Sequence, residues 1–352
     1  MSLLDKIKKN STIKESAILS KSKFFNDKDS IPTSIPAVNI ALSGRLDGGL
    51  TPGLTMWAGP SKHFKTGFSL LMVKSYMDQY PDAVVLYYDS EFGTPKSYFE
   101  TFQIDMERVI HTPLTDIEQL KFDIMNQLKS VERGDKLMII IDSIGQLASK
   151  KEIEDALDQK STTDMTRAKQ VKSLFRMVTP HLNLKDIPMV VVNHTYKTME
   201  LYSKDVVGGG TGSYYSADNI FILGRQQEKD GTELVGYNFI INVEKSRYVR
   251  EKAKIPVEIT FDGGISKWSG LLAMALLSGH VTKPSNGWYS RTDTDTGEVE
   301  ERKWRENDTN SEEFWNPVLE NESFKQWVMD NYRQGNGSII KDVPAIEEEE
   351  DA

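Results

Sequence analysis

The 352-residue sequence predicts an α/β fold: a mostly parallel, helix-covered sheet with a short helical arm before it and a small α+β module after it. Three observations lead there. Residues 54–58, 84–88, 137–141, 189–192 and 220–223 are near-continuous apolar runs, as expected of parallel strands covered on both faces. Between them apolar residues recur at helical spacing, as with Ile117, Leu120, Ile124, Leu128 and Val131, and again with Ala168, Val171, Phe175, Val178 and Leu182. Such alternation means βαβ units. The first run also opens into a small-residue loop, Gly59-Pro-Ser-Lys-His-Phe-Lys-Thr66, followed by a helix-compatible segment from Gly67.

Taken in order, residues 1–30 read as an arm, with Leu3, Leu4 and Ile7 on one helical face. It is too short to build its own core and needs something to dock on. A linker reaches Pro32 and Pro36, and residues 40–53 form a glycine-rich turn cluster. The core is expected over 31–270. Within it a capping box, Thr115-x-x-Glu118, introduces the helix over 115–131, and 164–182 forms another. Two polar stretches, 150–163 and 195–212, are longer than the loops compact α/β folds usually carry, and loops of that length have a task or are disordered. Strands 236–243 and 255–261 read as antiparallel additions at one sheet edge. Residues 271–335 form a tryptophan-rich module with a helix over 270–279, a hairpin across Thr294-Asp-Thr-Gly297 and a last helix near 322–333. An acidic tail, 336–352, closes the chain.

Composition narrows the function classes. Hydrophobic content of 38% with 27% charged residues fits a soluble globular protein, and no apolar run approaches the roughly 20 residues of a membrane span. The first residues lack the unbroken apolar core of a secretory leader. Zero cysteines exclude disulfides and thiolate metal sites and fit a reducing compartment, so the cytoplasm is expected. A net charge of −9 argues against coating nucleic acid with the whole surface. It leaves room for a local cationic groove, because screening confines charge to about 10 Å. Seven lysines against three acids in residues 1–28, and five acids in Glu347-Glu-Glu-Glu-Asp351, suit solvated termini, head-to-tail attraction, or competition for a basic groove.

In open α/β sheets ligands bind beyond the carboxyl ends of the strands. The loop Gly59, Pro60, Ser61, Lys62, His63, Phe64, Lys65, Thr66 is what a nucleoside triphosphate needs there. Backbone N–H groups and a helix N-terminus cradle phosphates, Lys65 reaches the β/γ oxygens and the Thr66 hydroxyl ligates Mg²⁺. Phe64 stands where the usual pattern has a second glycine. The second strand delivers Asp89-Ser-Glu91. The third delivers Asp142 after four apolar residues, the form of a Mg²⁺-organising carboxylate. The fourth delivers Asn193-His194. Asp142 belongs beside the metal, which leaves Glu91 as the base that orients water. His194 suits a phosphate sensor or a buried, hydrogen-bonded imidazole. The 195–212 stretch combines Tyr196, Lys197, Tyr202 and Lys204 with Gly208, Gly209 and Gly210, a mix suited to a phosphate backbone and base faces.

The order Gly59…Lys65-Thr66, Tyr87-Tyr-Asp-Ser-Glu91, Ile139-Ile-Ile-Asp-Ser143, Val192-Asn-His194, Gly208-Gly-Gly210 resembles the RecA family of strand-exchange recombinases. Ser22-Lys-Phe-Phe-Asn26, Asn39-Ile-Ala-Leu-Ser-Gly44 and Asp89-Ser-Glu-Phe-Gly93 bring it nearest the branch found in tailed bacteriophages. The similarity runs over nearly the whole chain, the acidity of the tail included. It implies a RecA-like P-loop ATPase core and a helical filament of protomers on single-stranded DNA, with ATP and Mg²⁺ between neighbours.

The resemblance also assigns roles. Lys65 and Thr66 bind phosphate and Mg²⁺, Glu91 activates water, Asp142 holds the metal through its shell, and His194 couples the γ-phosphate to DNA. Tyr98 corresponds to the adenine-stacking aromatic. Lys245 and Arg247, in Val243-Glu-Lys-Ser-Arg247, correspond to cations that reach a neighbour's ATP, like arginine fingers. The two long stretches correspond to DNA-binding loops and the arm to an oligomerisation element. Homologous duplex DNA, single-strand-binding proteins and mediators are the implied partners, in a host's cytoplasm. Two rivals remain: a hexameric helicase with the same core, and a nucleotide-gated assembly protein without DNA activity.

Overall fold

The computed structural model describes residues 2–24, 28–159, 166–198 and 205–335. Helix α1 (Leu3–Asn10) starts at a Ser2–Asp5 capping box, and its Leu3, Leu4 and Ile7 are all exposed. Helix α2 (Pro36–Ser43) is fully buried. It occupies the start of the segment expected to be a turn cluster, with Pro36 pre-setting its first turn and Gly44, at φ 72°, ending it. Strand β1 (Gly53–Ala58) then feeds α3 (Lys65–Gln79). After it come β2 (Val84–Asp89), α4 (Lys96–Thr101), β3 (Val109–Pro113), α5 (Ile117–Ser130) and β4 (Leu137–Asp142).

The cap of α5 lies one residue beyond the expected box. Asp116, not Thr115, is the N-cap, accepting from the Gln119 backbone N–H at 2.8 Å. The first long polar stretch also does not open as a loop. It begins as α6 (Lys150–Leu157), opened by a Ser149–Glu152 capping box and without a buried residue. Helix α7 (Thr166–Lys185) and strand β5 (Pro188–Asn193) follow. In the second long stretch β6 (Thr195–Lys197) pairs antiparallel with β7 (Asp205–Val207), and α8 (Thr211–Ser216) ends it.

Strands β8 (Asn219–Asp230) and β9 (Glu233–Ser246) form a long ribbon, joined by β10 (Lys254–Thr260) and β11 (Gly264–Ile265). The nine-stranded sheet runs β11-β10-β9-β8-β1-β5-β4-β2-β3. It is parallel from β8 through β3 and antiparallel on the other side. Alternate strand residues feed two cores. Trp57, Tyr87, Ile140 and Val190 pack with α2 and α3, whereas Met56, Tyr88, Ile139 and Val191 pack with α5 and α7.

The C-terminal part contains α9 (Leu271–Leu277), β12 (Val281–Ser285), β13 (Trp288–Arg291), β14 (Trp304–Arg305), α10 (Glu312–Glu320) and α11 (Glu322–Tyr332). Its principal hairpin turns at Gly287, with Ser285 opposite Trp288. The segment around Thr294–Gly297 makes a tight turn closed by a Thr292–Val299 bridge. Trp304, Phe314, Trp315 and Phe324 of this part are continuous with the core under α2 and α3.

Trp57 is buried at the centre, its ring 5.0 Å from Phe68 and 4.5 Å from Phe221. Its indole N–H has no hydrogen-bond partner. An unmade buried hydrogen bond costs about 1–3 kcal/mol, which offsets much of the packing lost on going to phenylalanine. Trp57→Phe should therefore change unfolding free energy by about 1 kcal/mol or less, whereas Trp57→Ala should cost about 3–5 kcal/mol. Denaturant titration of both variants checks this.

Candidate active site

The parallel register aligns the strand ends that carry chemistry. Ala58 is opposite Asn193, and Asp89 is opposite Asp142. The loop after Ala58 turns directly into α3, whose N-cap Phe64 makes no side-chain cap. The helix's first N–H groups and the positive end of its dipole are thus available to an anion. Lys65 is buried beneath the loop with Nζ donating to the Pro60 carbonyl at 2.8 Å. Burial lowers its pKa, and the carboxylates of Glu91 and Asp142 oppose that shift.

Phe64 stands in the left-handed conformation that favours glycine, at φ 58° and ψ 23°. A side chain there costs on the order of 1 kcal/mol or more. Its ring is held by Phe68, Phe102 and Phe239, with centroids 5.4, 6.5 and 5.7 Å away. The same ring forces the residue after Thr66 to be glycine, since a Cβ on Gly67 would lie 2.4 Å from it.

Across the sheet edge, Glu91 Oε1 accepts from Ser143 Oγ at 2.6 Å and lies 2.8 Å from His194 Nε2. These bonds, the one to His194 foremost, hold the Glu91 carboxyl below its usual range against partial burial. The Glu91 turn is set from beneath by buried Asp89, whose Oδ1 accepts the backbone N–H groups of Glu91 and Phe92 at 3.0 and 2.8 Å. Asp89 and Ser143 were not among the expected site residues. Their signal was placement alone, since each is a polar residue at or just after the end of an apolar strand.

Asp142 Oδ2 accepts from Thr66 Oγ1 at 2.7 Å and from the Tyr87 hydroxyl at 3.2 Å. Its buried Oδ1 has no hydrogen-bond partner. Burial pushes the pKa up to about 6, with Thr66 opposing and Glu91 adding to the rise. A hydroxyl beside a carboxylate with an orphaned oxygen is an all-oxygen donor set, which fits Mg²⁺ and its retained waters. Among the described residues no group of three or more His, Asp or Glu side chains forms a self-sufficient metal cage.

His194 is held from both sides. Its backbone N–H donates to Asn193 Oδ1 at 2.8 Å and its carbonyl accepts from Gly208 N–H at 2.9 Å. Asn193 Nδ2 in turn donates to the Gly208 carbonyl at 2.8 Å. The glycine segment and the Glu91 edge therefore meet at one imidazole residue. Gly209 and Gly210 stand at φ 89° and 77°, conformations that favour glycine, and Gly210 is the N-cap of α8. Tyr196 and Lys197 are exposed on the β6 strand. Tyr202 and Lys204 lie outside the described residues, as does the acidic tail.

Tyr98, half-buried on α4, sits edge-on to Phe102 at 5.4 Å, one ring removed from Phe64. Lys245 and Arg247 lie elsewhere. Ser246 is level with Asn219 and Thr55, and the Arg247 backbone N–H bonds the Asp218 carbonyl. Strand rise puts that level roughly 13 Å below Gly59, at the opposite end of β1. Lys245 Nζ donates to the carbonyls of Tyr214 and Ala217 at 2.7 and 2.8 Å. Arg247 Nε pairs with buried Asp218 at 2.5 Å. Both cations are thus directed away from the phosphate loop of their own chain.

A mostly parallel sheet with a phosphate loop at its centre and an antiparallel extension on one side defines a RecA-type ATPase. The family model described as the RecA N-terminal domain matches residues 2–266. The model described as the C-terminal domain of the bacteriophage T4 recombination and repair protein matches residues 268–328. That protein of Enterobacteria phage T4 is 54% identical over 337 residues, covering 95% of this chain and 86% of the relative. Protein RecA of Streptomyces avermitilis is 26% identical over 275 residues, covering 77% of this chain and 70% of the relative. The chain belongs to the RecA family of recombinases, in the branch of the T4 recombination and repair protein, and is a DNA-dependent ATPase.

The Glu91–His194 bond generates a pH test. Without the imidazole the largest influence holding the Glu91 pKa down is lost, and that pKa rises. His194→Ala should therefore move the acid limb of the ATP hydrolysis profile to higher pH, whatever happens to the plateau. Initial rates across the acid range read the displacement; an unmoved limb would mean that Glu91 does not govern it.

Proposed function

We propose that this chain assembles head-to-tail on single-stranded DNA and spends ATP in pairing it with homologous duplex DNA. In this reading Gly59–Thr66 receives the phosphates and Lys65 reaches the β/γ oxygens. Thr66 and Asp142 hold Mg²⁺, which when bound neutralises charge on the phosphate oxygens. Ser143 and His194 both engage Glu91 Oε1, leaving Oε2 to orient the attacking water and accept its proton. Tyr98 stacks on the adenine, while Lys245 and Arg247 of an adjoining copy complete the charge stabilisation. His194 carries the state of the terminal phosphate to Gly208, and the segment with Lys197, Tyr202, Lys204, Gly209 and Gly210 meets DNA. Single-strand-binding and mediator proteins would manage loading, and the host cytoplasm is the compartment.

The observation that carries this reading is the continuous bonding from Glu91 through His194 to Gly208. It joins the hydrolytic edge to the candidate DNA segment without an intervening element.

Hydrolysis should be stimulated by single-stranded DNA and vanish in Lys65→Ala. Glu91→Gln should retain ATP binding while losing about 10²–10⁴-fold in rate. DNA-indifferent hydrolysis would favour an assembly protein without DNA activity, and directional unwinding of any duplex would favour a helicase.

Action in trans has its own readout. A subunit with Arg247→Ala keeps its Glu91, and a subunit with Glu91→Gln keeps its Arg247. Equal mixing should restore about a quarter of wild-type hydrolysis, since random head-to-tail neighbours reunite the two intact groups at that frequency. A mixture no more active than the mean of its parts would place both groups in one subunit's site.

A further inference from the structure

We propose that Arg225 is a positioning residue of the phosphate loop, pinning its Lys62–His63 peptide in the orientation that receives a phosphate. The inference rests on the reading of Gly59–Thr66 as the triphosphate loop.

Two non-glycine residues of this loop occupy the left-handed region, Lys62 at φ 60° and Phe64 at φ 58°. Side chains enter that region only where their surroundings fix them. Phe64 is fixed by aromatic packing. Lys62 is exposed, so packing cannot hold it. Its carbonyl oxygen accepts a hydrogen bond from Arg225 Nη1 at 3.0 Å.

Arg225 is itself well anchored. It stands on β8, which runs beside β1 with Ile222 opposite Ala58. A Cβ on Gly59 would lie 3.3 Å from the Leu223 carbonyl, so strand and loop are in close approach. The guanidinium lies 4.4 Å from the Tyr237 ring centroid. Phe239 and Phe261 brace that ring at 6.0 and 5.9 Å. A cation over an aromatic face loses little of its remaining freedom when it also donates a hydrogen bond.

The bond has a direction. A trans peptide carries its C=O and N–H on opposite sides. With the Lys62 carbonyl turned toward β8, the His63 N–H is turned away from it, to the side where the loop takes an anion. Without Arg225 nothing offsets the cost of a left-handed Lys62, and its peptide turns toward an unstrained orientation that does not bind. Affinity then falls by the fraction of loops in the competent orientation. The chemical step, set by Glu91 and the Asp142 edge, is untouched.

The test uses the full-length protein at saturating single-stranded DNA. Arg225→Ala should raise the KM for ATP about tenfold, the scale of one charge-assisted hydrogen bond, and leave kcat within about twofold. ADP affinity should fall by the same factor, because the peptide serves phosphates common to both nucleotides. Arg225→Lys, with reach and donors but no planar fork, should recover part of the loss. In a Lys62→Gly background, where the strain is gone, Arg225→Ala should add less than about twofold.

An unchanged KM in Arg225→Ala overturns the proposal. So does a loss that persists in the Lys62→Gly background and falls on ATP far more than ADP, which would make Arg225 a direct contact of the terminal phosphate. Lys65→Ala separates the levels. If it still hydrolyses ATP, the loop reading fails and Arg225 with it; if it is inactive while Arg225→Ala is normal, only the role given to Arg225 falls.

Discussion

The in-register parallel pairing of β1, β5, β4 and β2 is the constraint on which the site depends. Those strands are buried on both faces, so their side chains are committed to packing and the polar work falls to the residues just past their ends. Pairing Ala58 with Asn193 and Asp89 with Asp142 puts four such ends in one row. A slip of one residue would exchange the two cores, sending Tyr87 and Ile140 to the face of Tyr88 and Ile139. Hydrophobic burial thereby fixes the row in which Lys65, Glu91, Asp142 and His194 meet.

Within that row the charges are unequal by design of their surroundings. Asp142 is deep, with one oxygen unpaired, and its carboxyl titrates near 6. Glu91 is nearer solvent and stabilised as the anion by donors. On the proposed reading the two carboxylates have different tasks, the first to receive a cation and the second to act as the base. Lys65, desolvated beneath the loop, would on that reading gain an anionic partner when a phosphate arrives.

What the sequence made legible followed burial. The five apolar runs were strands because each is covered on both faces, and the Asp, Glu and His residues at their ends were found by counting past them. Strand β3 was missed: it is an edge strand with Ile110 exposed, and His111 interrupts its apolar pattern. Helix α6 was missed because its short apolar face, Ile153, Ala156 and Leu157, is set among charges and buries nothing; the Ser149–Glu152 cap marks its start. The α5 cap slipped by one because Thr115 and Asp116 are both good caps, and only geometry chooses. Arg225 left no trace in the sequence near the loop it touches, since 163 positions separate it from Lys62. The departure at Phe64 was visible, but its compensation was not, because the ring's partners come from three separate segments.

The separation of Lys245 and Arg247 from their own loop has a consequence for growth. On the proposed reading each copy offers a socket at one end of its sheet and a plug at the other, and no dyad can satisfy both at once. The polymer must be polar. Its first and last members are chemically unlike, one with a nucleotide left uncapped and one with cations left idle. Turnover at the two tips would then differ before any other protein distinguishes them.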